Sequence, residues 1–130
     1  MPVRDILRVL IITGQTGPWG AQLTRAVEAD RDASVVGQVA PAQAVDHVGR
    51  DRPDIVGLDM SGLSSSSQAA SLVREILALA PVPILLMVPS DQRRDTSMAA
   101  VVAGAVEVMT YPAKWDVAVA AELRKRLHAL

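Results

Sequence analysis

Arg52-Pro53-Asp54-Ile55-Val56-Gly57-Leu58-Asp59-Met60 is the stretch that decides the fold. Ile55 to Leu58 is a short apolar run, broken only by Gly57. Pro53 stands just before it and Asp59 closes it. An apolar run of this length between turn signals reads as a strand buried on both faces, which is the signature of a parallel sheet. A carboxylate at the carboxyl end of such a strand faces the crevice where open α/β sheets bind ligands. Asp59 is therefore the first candidate functional residue. The plainer alternative is a polar residue that ends a strand.

Working outward, the same pattern recurs on both sides. Arg8 to Ile12, Ser34 to Val39, Ile84 to Val88 and Ala105 to Thr110 read as four more strands. Between them lie segments with apolar residues at helical spacing. Pro18 suits a helix start, and Trp19, Leu23, Ala26 and Val27 follow it on one stripe. Pro41 opens a second helix with Ala44, Val45 and Val48 inward. The serines of Ser64–Ser67 can cap a third helix, which carries Ala69, Leu72, Val73, Ile76 and Leu77. Gln92 to Ala103 reads as a weakly amphipathic fourth, ended by Gly104. Lys114 to Leu130 reads as a last helix with Val117, Ala120, Leu123 and Leu127 inward. Five strand–helix units in series predict a flavodoxin-like, doubly wound five-stranded parallel sheet of order 2-1-3-4-5, with helices on both faces. The switch point of that order lies between the first and third strands, so the loops beginning at Thr13 and Asp59 meet there. Residues 1–130 are expected to form a single domain, with no linker and no internal repeat.

Composition narrows the function. Hydrophobic residues make up 50% of the 130-residue chain, which excludes disorder. Aromatics are 2%, so the core is built from Val, Leu, Ile, Ala and Met. A formal net charge of −1 gives no electrostatic case for nucleic acid. With no cysteine there is no disulfide or thiolate chemistry, and zinc would depend on His47, His128 and carboxylates. Those two histidines read as a surface residue and a helix-end partner. No triad arrangement surrounds them, so a hydrolase is not supported. The pairs and triplets Arg93-Arg94 and Arg124-Lys125-Arg126 read as solvated helix faces. Met1-Pro2-Val3-Arg4-Asp5 shows no signal-peptide pattern, and no apolar run is long enough to span a bilayer. A cytoplasmic protein that does not engage membrane is the expectation.

Several of these segments together resemble a family. Arg8-Val9-Leu10-Ile11-Ile12, Glu28-Ala29-Asp30-Arg31-Asp32 with Val35-Val36-Gly37, and Arg52 to Met60 look like a response-regulator receiver domain. Pro83-Ile84-Leu85-Leu86-Met87 and Ala103-Gly104-Ala105-Val106-Glu107 extend the match over nearly the whole chain. The nearest flavour is the receiver of chemotaxis methylesterases. The resemblance implies a CheY-like domain of two-component phosphorelay signalling, in which an aspartate after the third strand takes a phosphoryl group. An acidic pair after the first strand holds Mg²⁺ there, and a Ser or Thr after the fourth strand and a Lys after the fifth contact the phosphoryl oxygens. That set follows from the chemistry, because a carboxylate attacking phosphorus needs cations to neutralise developing charge.

Carried onto this sequence, the phosphoacceptor position is Asp59. The acidic pair falls on Thr13-Gly14, the hydroxyl position on Val88 and the lysine position on Tyr111. Ser90 and Lys114 lie close to the last two positions but out of register with them. The scaffold matches and the reaction centre is degenerate. The resemblance then implies a pseudo-receiver: a module that is not an enzyme, with a vestigial Asp59, no bound metal, no cofactor and no Mg²⁺. It would act through a protein partner or a C-terminal effector domain such as an esterase, an ATPase or a DNA-binding domain. Its own contact with nucleic acid is not expected, and a homodimer is left open. Receivers present their fourth helix, fifth strand and fifth helix as an output face, which here holds Met98, Val108, Tyr111 and Trp115. Tyr111 and Trp115 are two of the three aromatics in the chain, and such residues are enriched as interface anchors. Packing of each against its own element is the plainer account.

A second reading belongs to a different class. Thr13-Gly14-Gln15-Thr16-Gly17-Pro18-Trp19-Gly20 reads TGxxGxxG between a strand and a helix, which resembles the dinucleotide loop of extended short-chain dehydrogenases. Gly14, Gly17 and Gly20 could let backbone approach a pyrophosphate or other anion at a helix N-terminus. Against this stand the missing acid after Val39-Ala40-Pro41, the bulk of Trp19, the amide lost at Pro18 and the spacing of Tyr111-Pro112-Ala113-Lys114. A glycine-rich turn left where the acid pair was lost outweighs it.

Overall fold

Apolar runs with no polar alternation can only be strands if both sheet faces are covered, and that is how the chain is built. The computed structural model of the protein describes residues 6–13, 18–29, 31–59, 66–89, 104, 107–111 and 117–129. The order is β1 (Leu7–Ile12), α1 (Pro18–Glu28), β2 (Ala33–Val39), a single 3₁₀ turn (Pro41–Gln43), α2 (Ala44–Asp51), β3 (Ile55–Asp59), α3 (Ser66–Leu79), β4 (Ile84–Pro89), β5 (Glu107–Tyr111) and α4 (Val117–Ala129). The predicted helix over 92–103 lies outside the described residues. All strand pairs are parallel and the sheet order is β2-β1-β3-β4-β5. The expected fold class and strand order are those observed.

The alternation of side chains along each strand divides the core in two. Leu10, Ile12, Val56, Leu58, Ile84, Leu86 and Val88 face Ala44 and Val48 of α2 and Ala69, Val73 and Ile76 of α3. Val9, Ile11, Ile55, Leu85, Met87 and Met109 face Leu23, Ala26 and Val27 of α1 and Leu123 and Leu127 of α4. Gly57 interrupts the third run for a packing reason. A Cβ at that position would stand 3.1 Å from Ile11 Cδ1 and 3.3 Å from Met87 Cε, so the side chains of the neighbouring strands close over it.

One inward assignment fails. Val117 is 83% exposed, whereas Leu123 and Leu127 are buried as expected. The described part of α4 begins at Val117, which borders a groove beside α1, while Val119 and Ala120 of the same turn pack against the core. Two irregularities were also unread. The register between β1 and β2 jumps from Val9↔Val35 to Leu10↔Gly37, so Val36 is an extra residue in the edge strand. Arg52 takes a left-handed conformation (φ 46°, ψ 63°) that terminates α2, and its amide donates to the Val48 carbonyl at 3.1 Å. No helix among the described residues is long and apolar enough to cross a membrane.

Candidate functional site

The two central strands end together. Ile12 pairs with Leu58, which brings the next residues, Thr13 and Asp59, side by side at the switch point. The Thr13 hydroxyl donates to Asp59 Oδ2 at 2.9 Å. Asp59 is fully buried and Thr13 is 6% exposed. A second bond fixes the threonine, because its amide donates to the Val39 carbonyl at 2.9 Å. Thr13 thus ties the end of β2 to the end of β3. Burying a carboxylate is costly unless donors meet it, and the hydroxyl is such a donor. The sequence marked Thr13 as a lost acid and as the start of the glycine-rich loop, not as a donor to Asp59. Its role as a donor depends on register between strands 46 residues apart, and a hydroxyl at the switch loop was the one available clue.

The remaining positions fall around this pair. Met87 of β4 stands opposite Asp59 in the ladder, and Met109 of β5 stands opposite Met87. Val88, at the hydroxyl position, is 4% exposed and belongs to the core on the α2–α3 side. Tyr111 is the last residue of β5, paired with Pro89. Val108 is half-buried in the same strand and packs on the α2–α3 side. Met98, Trp115, Ser90, Lys114, Gly14 and Gly17 lie outside the described residues. Gly20 lies inside α1. Among the described residues no three His, Asp or Glu side chains gather as a metal-binding group. Among the described residues, Asp59 brings a carboxylate to the switch point and Thr13 a neutral hydroxyl.

Charged groups elsewhere serve the scaffold. His47 Nδ1 stands 3.0 Å from Asp51 Oδ2, and this hydrogen bond, aided by Arg50, holds the Asp51 carboxyl below its ordinary range. Arg126 donates from Nε to Glu122 at 2.7 Å and from Nη1 to Glu107 at 3.0 Å and the Val108 carbonyl at 2.8 Å, which fastens α4 to β5. That bond from Arg126 also holds the Glu122 carboxyl low. His47 is therefore engaged within α2, and His128 Nε2 lies 3.3 Å from Asp32 Oδ1, bringing the end of α4 to the turn before β2.

No protein-family profile matches the sequence, and no curated protein matches it. Solved structures do match in shape. The response regulator domain of Thermotoga maritima CheB superposes with a TM-score of 0.80 at 19% identity, over 96% of both chains. The signal receiver domain of the response regulator NarL from Mycobacterium tuberculosis gives 0.71 at 19% identity, covering 97% of this chain and 99% of that one. A pilus assembly-related protein from Burkholderia pseudomallei gives 0.74 at 23% identity, covering 99% of this chain and 94% of that one. These neighbours lend no support to the nucleotide reading of Gly14, Gly17 and Gly20. Sheet order, two-sided core, the Asp59 position at the switch point and near-complete superposition converge: the chain has the receiver-domain fold of response regulators.

Proposed function

We propose that this domain is a degenerate receiver, a signalling module that works by protein interaction and not by Mg²⁺-dependent phosphoryl transfer. The observation that carries this reading is the Thr13–Asp59 bond. Where receivers place a carboxylate to hold Mg²⁺, this chain places a neutral hydroxyl, and that hydroxyl engages the would-be acceptor at 2.9 Å. Mg²⁺ takes six oxygen ligands in near-ideal octahedral geometry and is held by carboxylates together with water. One buried carboxylate with a threonine beside it is a poor set for that ion. Val88 adds no hydroxyl, and Tyr111 at the lysine position adds no cation to neutralise a phosphoryl group. The output would then pass to a protein partner or an effector domain, with the β5 segment around Val108 and Tyr111 as one contact region.

Amide NMR of the purified domain with Mg²⁺ and beryllofluoride, a phosphoryl mimic, tests this. The expected result is no shift at Asp59, Val88 or Tyr111. Saturable shifts that spread from Asp59 to β4 and β5 would mean that the switch survives, and would end the proposal.

A further inference from the structure

β5 is the outermost strand on its side of the described sheet, paired with β4. An outer strand carries backbone groups that no neighbouring strand meets, and it is among the first parts of a sheet to open. Arg126 acts on this strand from the side. Its Nε donates to Glu122 Oε1 at 2.7 Å, one turn back on α4. Its Nη1 donates to Glu107 Oε1 at 3.0 Å and to the Val108 carbonyl at 2.8 Å, both on β5. The sequence read Arg124-Lys125-Arg126 as a solvated helix face, yet the Arg126 side chain is only 34% exposed. Leu123 and Leu127, on either side of it in α4, are buried against the sheet. The helix that carries the guanidinium is therefore itself anchored.

Exposed ion pairs contribute little unless their geometry is good and several charges form a network. Both conditions are met here. The bond to Glu122 stays within one helix, but the bonds to Glu107 and Val108 join residues 19 and 18 positions apart. One acceptor is backbone, so the contact fixes the strand itself as well as a side chain. The guanidinium presents its donors in a rigid planar fork, which places all three acceptors at once; a lysine ammonium has no such fixed geometry. Without the cation, Glu107 on β5 and Glu122 on α4 would be like charges converging on one place, and they would repel. We infer that Arg126 is a clamp that makes β5 and α4 one rigid unit, so that the surface they form keeps a single arrangement and is not a moving part. What this means for signalling rests on the interaction reading above: a partner would meet a preformed face, with little ordering left to do on binding. The clamp itself stands apart from that reading.

Amide hydrogen exchange and NMR relaxation dispersion of the purified domain test this. In the wild type, residues 107–111 are expected to show no microsecond-to-millisecond exchange broadening. Arg126→Gln is expected to speed hydrogen exchange of the β5 amides that bond to β4 by about tenfold relative to β1 and β3, and to bring broadening to the same residues. Arg126→Lys, which keeps the charge without the fork, is expected to lie between the two. Adding Glu122→Gln to Arg126→Gln removes one of the facing charges and is expected to restore part of the protection. Arg50→Gln, which removes a guanidinium bonded within α2, is expected to leave β5 unchanged. Broadening at 107–111 in the wild type would overturn the proposal. So would hydrogen exchange in Arg126→Gln that does not rise at β5, or that rises equally in β1, β3 and β5. The wild-type and lysine measurements decide the matter even if the glutamine variant does not fold. Beryllofluoride shifts at Asp59 with residues 107–111 still unbroadened would sink the degenerate-receiver reading and leave the clamp standing.

Discussion

At the scale of single residues, the Thr13 hydroxyl and the Asp59 carboxylate are one unit. Thr13→Val removes one donor from a buried carboxylate and is expected to cost about 1–3 kcal/mol. Asp59→Asn keeps an acceptor oxygen in place and is expected to cost less than about 1 kcal/mol, with partner binding unchanged. Chemical denaturation of both single variants and the double variant measures the coupling between them. A coupling near zero would mean the bond contributes nothing beyond packing. The complementary change is Thr13→Asp. It sets two carboxylates side by side where one stands now, and like charges at that distance repel unless a cation joins them. That variant is expected to melt lower than wild type in EDTA and to regain stability with millimolar Mg²⁺. Absence of a Mg²⁺ effect would show that more than residue 13 was lost.

At the scale of elements, helix ends and strand lengths follow from local chemistry, and their exceptions do not. Pro18, Pro41 and Ser66 stand where helical segments start, and the apolar runs stand where strands lie. Pro41 opens a 3₁₀ turn that precedes α2, so its stop-and-start signal was legible but its geometry was not. Gly57 could be read only as a gap in a hydrophobic run. Its cause is the approach of Ile11 and Met87 from the two neighbouring strands, and nothing within reach along the chain announces it. Val117 was misplaced because a periodic stripe does not say which neighbour each turn meets. Arg52 supplies a test at this scale. It holds a left-handed backbone that costs an L-residue about 1–2 kcal/mol. Replacing it with glycine loosens the unfolded chain, which returns part of that gain. Arg52→Gly is expected to stabilise the domain by about 0.5–1 kcal/mol and to raise Tm by about 2–4 °C. A lower Tm would mean that the arginine side chain contributes more than its backbone costs. The bond from Arg8 Nη1 to the Arg52 carbonyl, at 3.0 Å, is to backbone and is retained in that variant.

At the scale of the whole molecule, one sheet is the shared wall of two apolar layers. Leu10 and Ile11 are adjacent and both fully buried, yet they belong to opposite layers. Leu10→Ala and Ile11→Ala are each expected to cost about 2–5 kcal/mol. Because the layers share β1, β3 and β4, amide signals from α1 and from α3 are expected to vanish at the same denaturant concentration in both variants. Separate midpoints would mean that the layers fold independently. The fold class was legible because continuous apolar runs need both sheet faces covered, and right-handed crossovers in a chain of this length favour a doubly wound sheet of order 2-1-3-4-5. The contents of the switch point were half legible. Asp59 was visible as the polar end of an apolar run, but its partner became visible only once Ile12 and Leu58 were found in register.

The extra residue Val36 in β2 has a consequence for assembly. An outer strand with a regular ladder of free amides and carbonyls invites another chain to add itself, and repeated addition makes a fibre. The slip between Val9 and Leu10 breaks that ladder part-way along β2, and a bulge also adds twist. A strand laid against this edge could match the first half or the second half but not both. The slip thereby limits backbone pairing along the β2 edge to a short stretch at a time and disfavours growth of the sheet on that side.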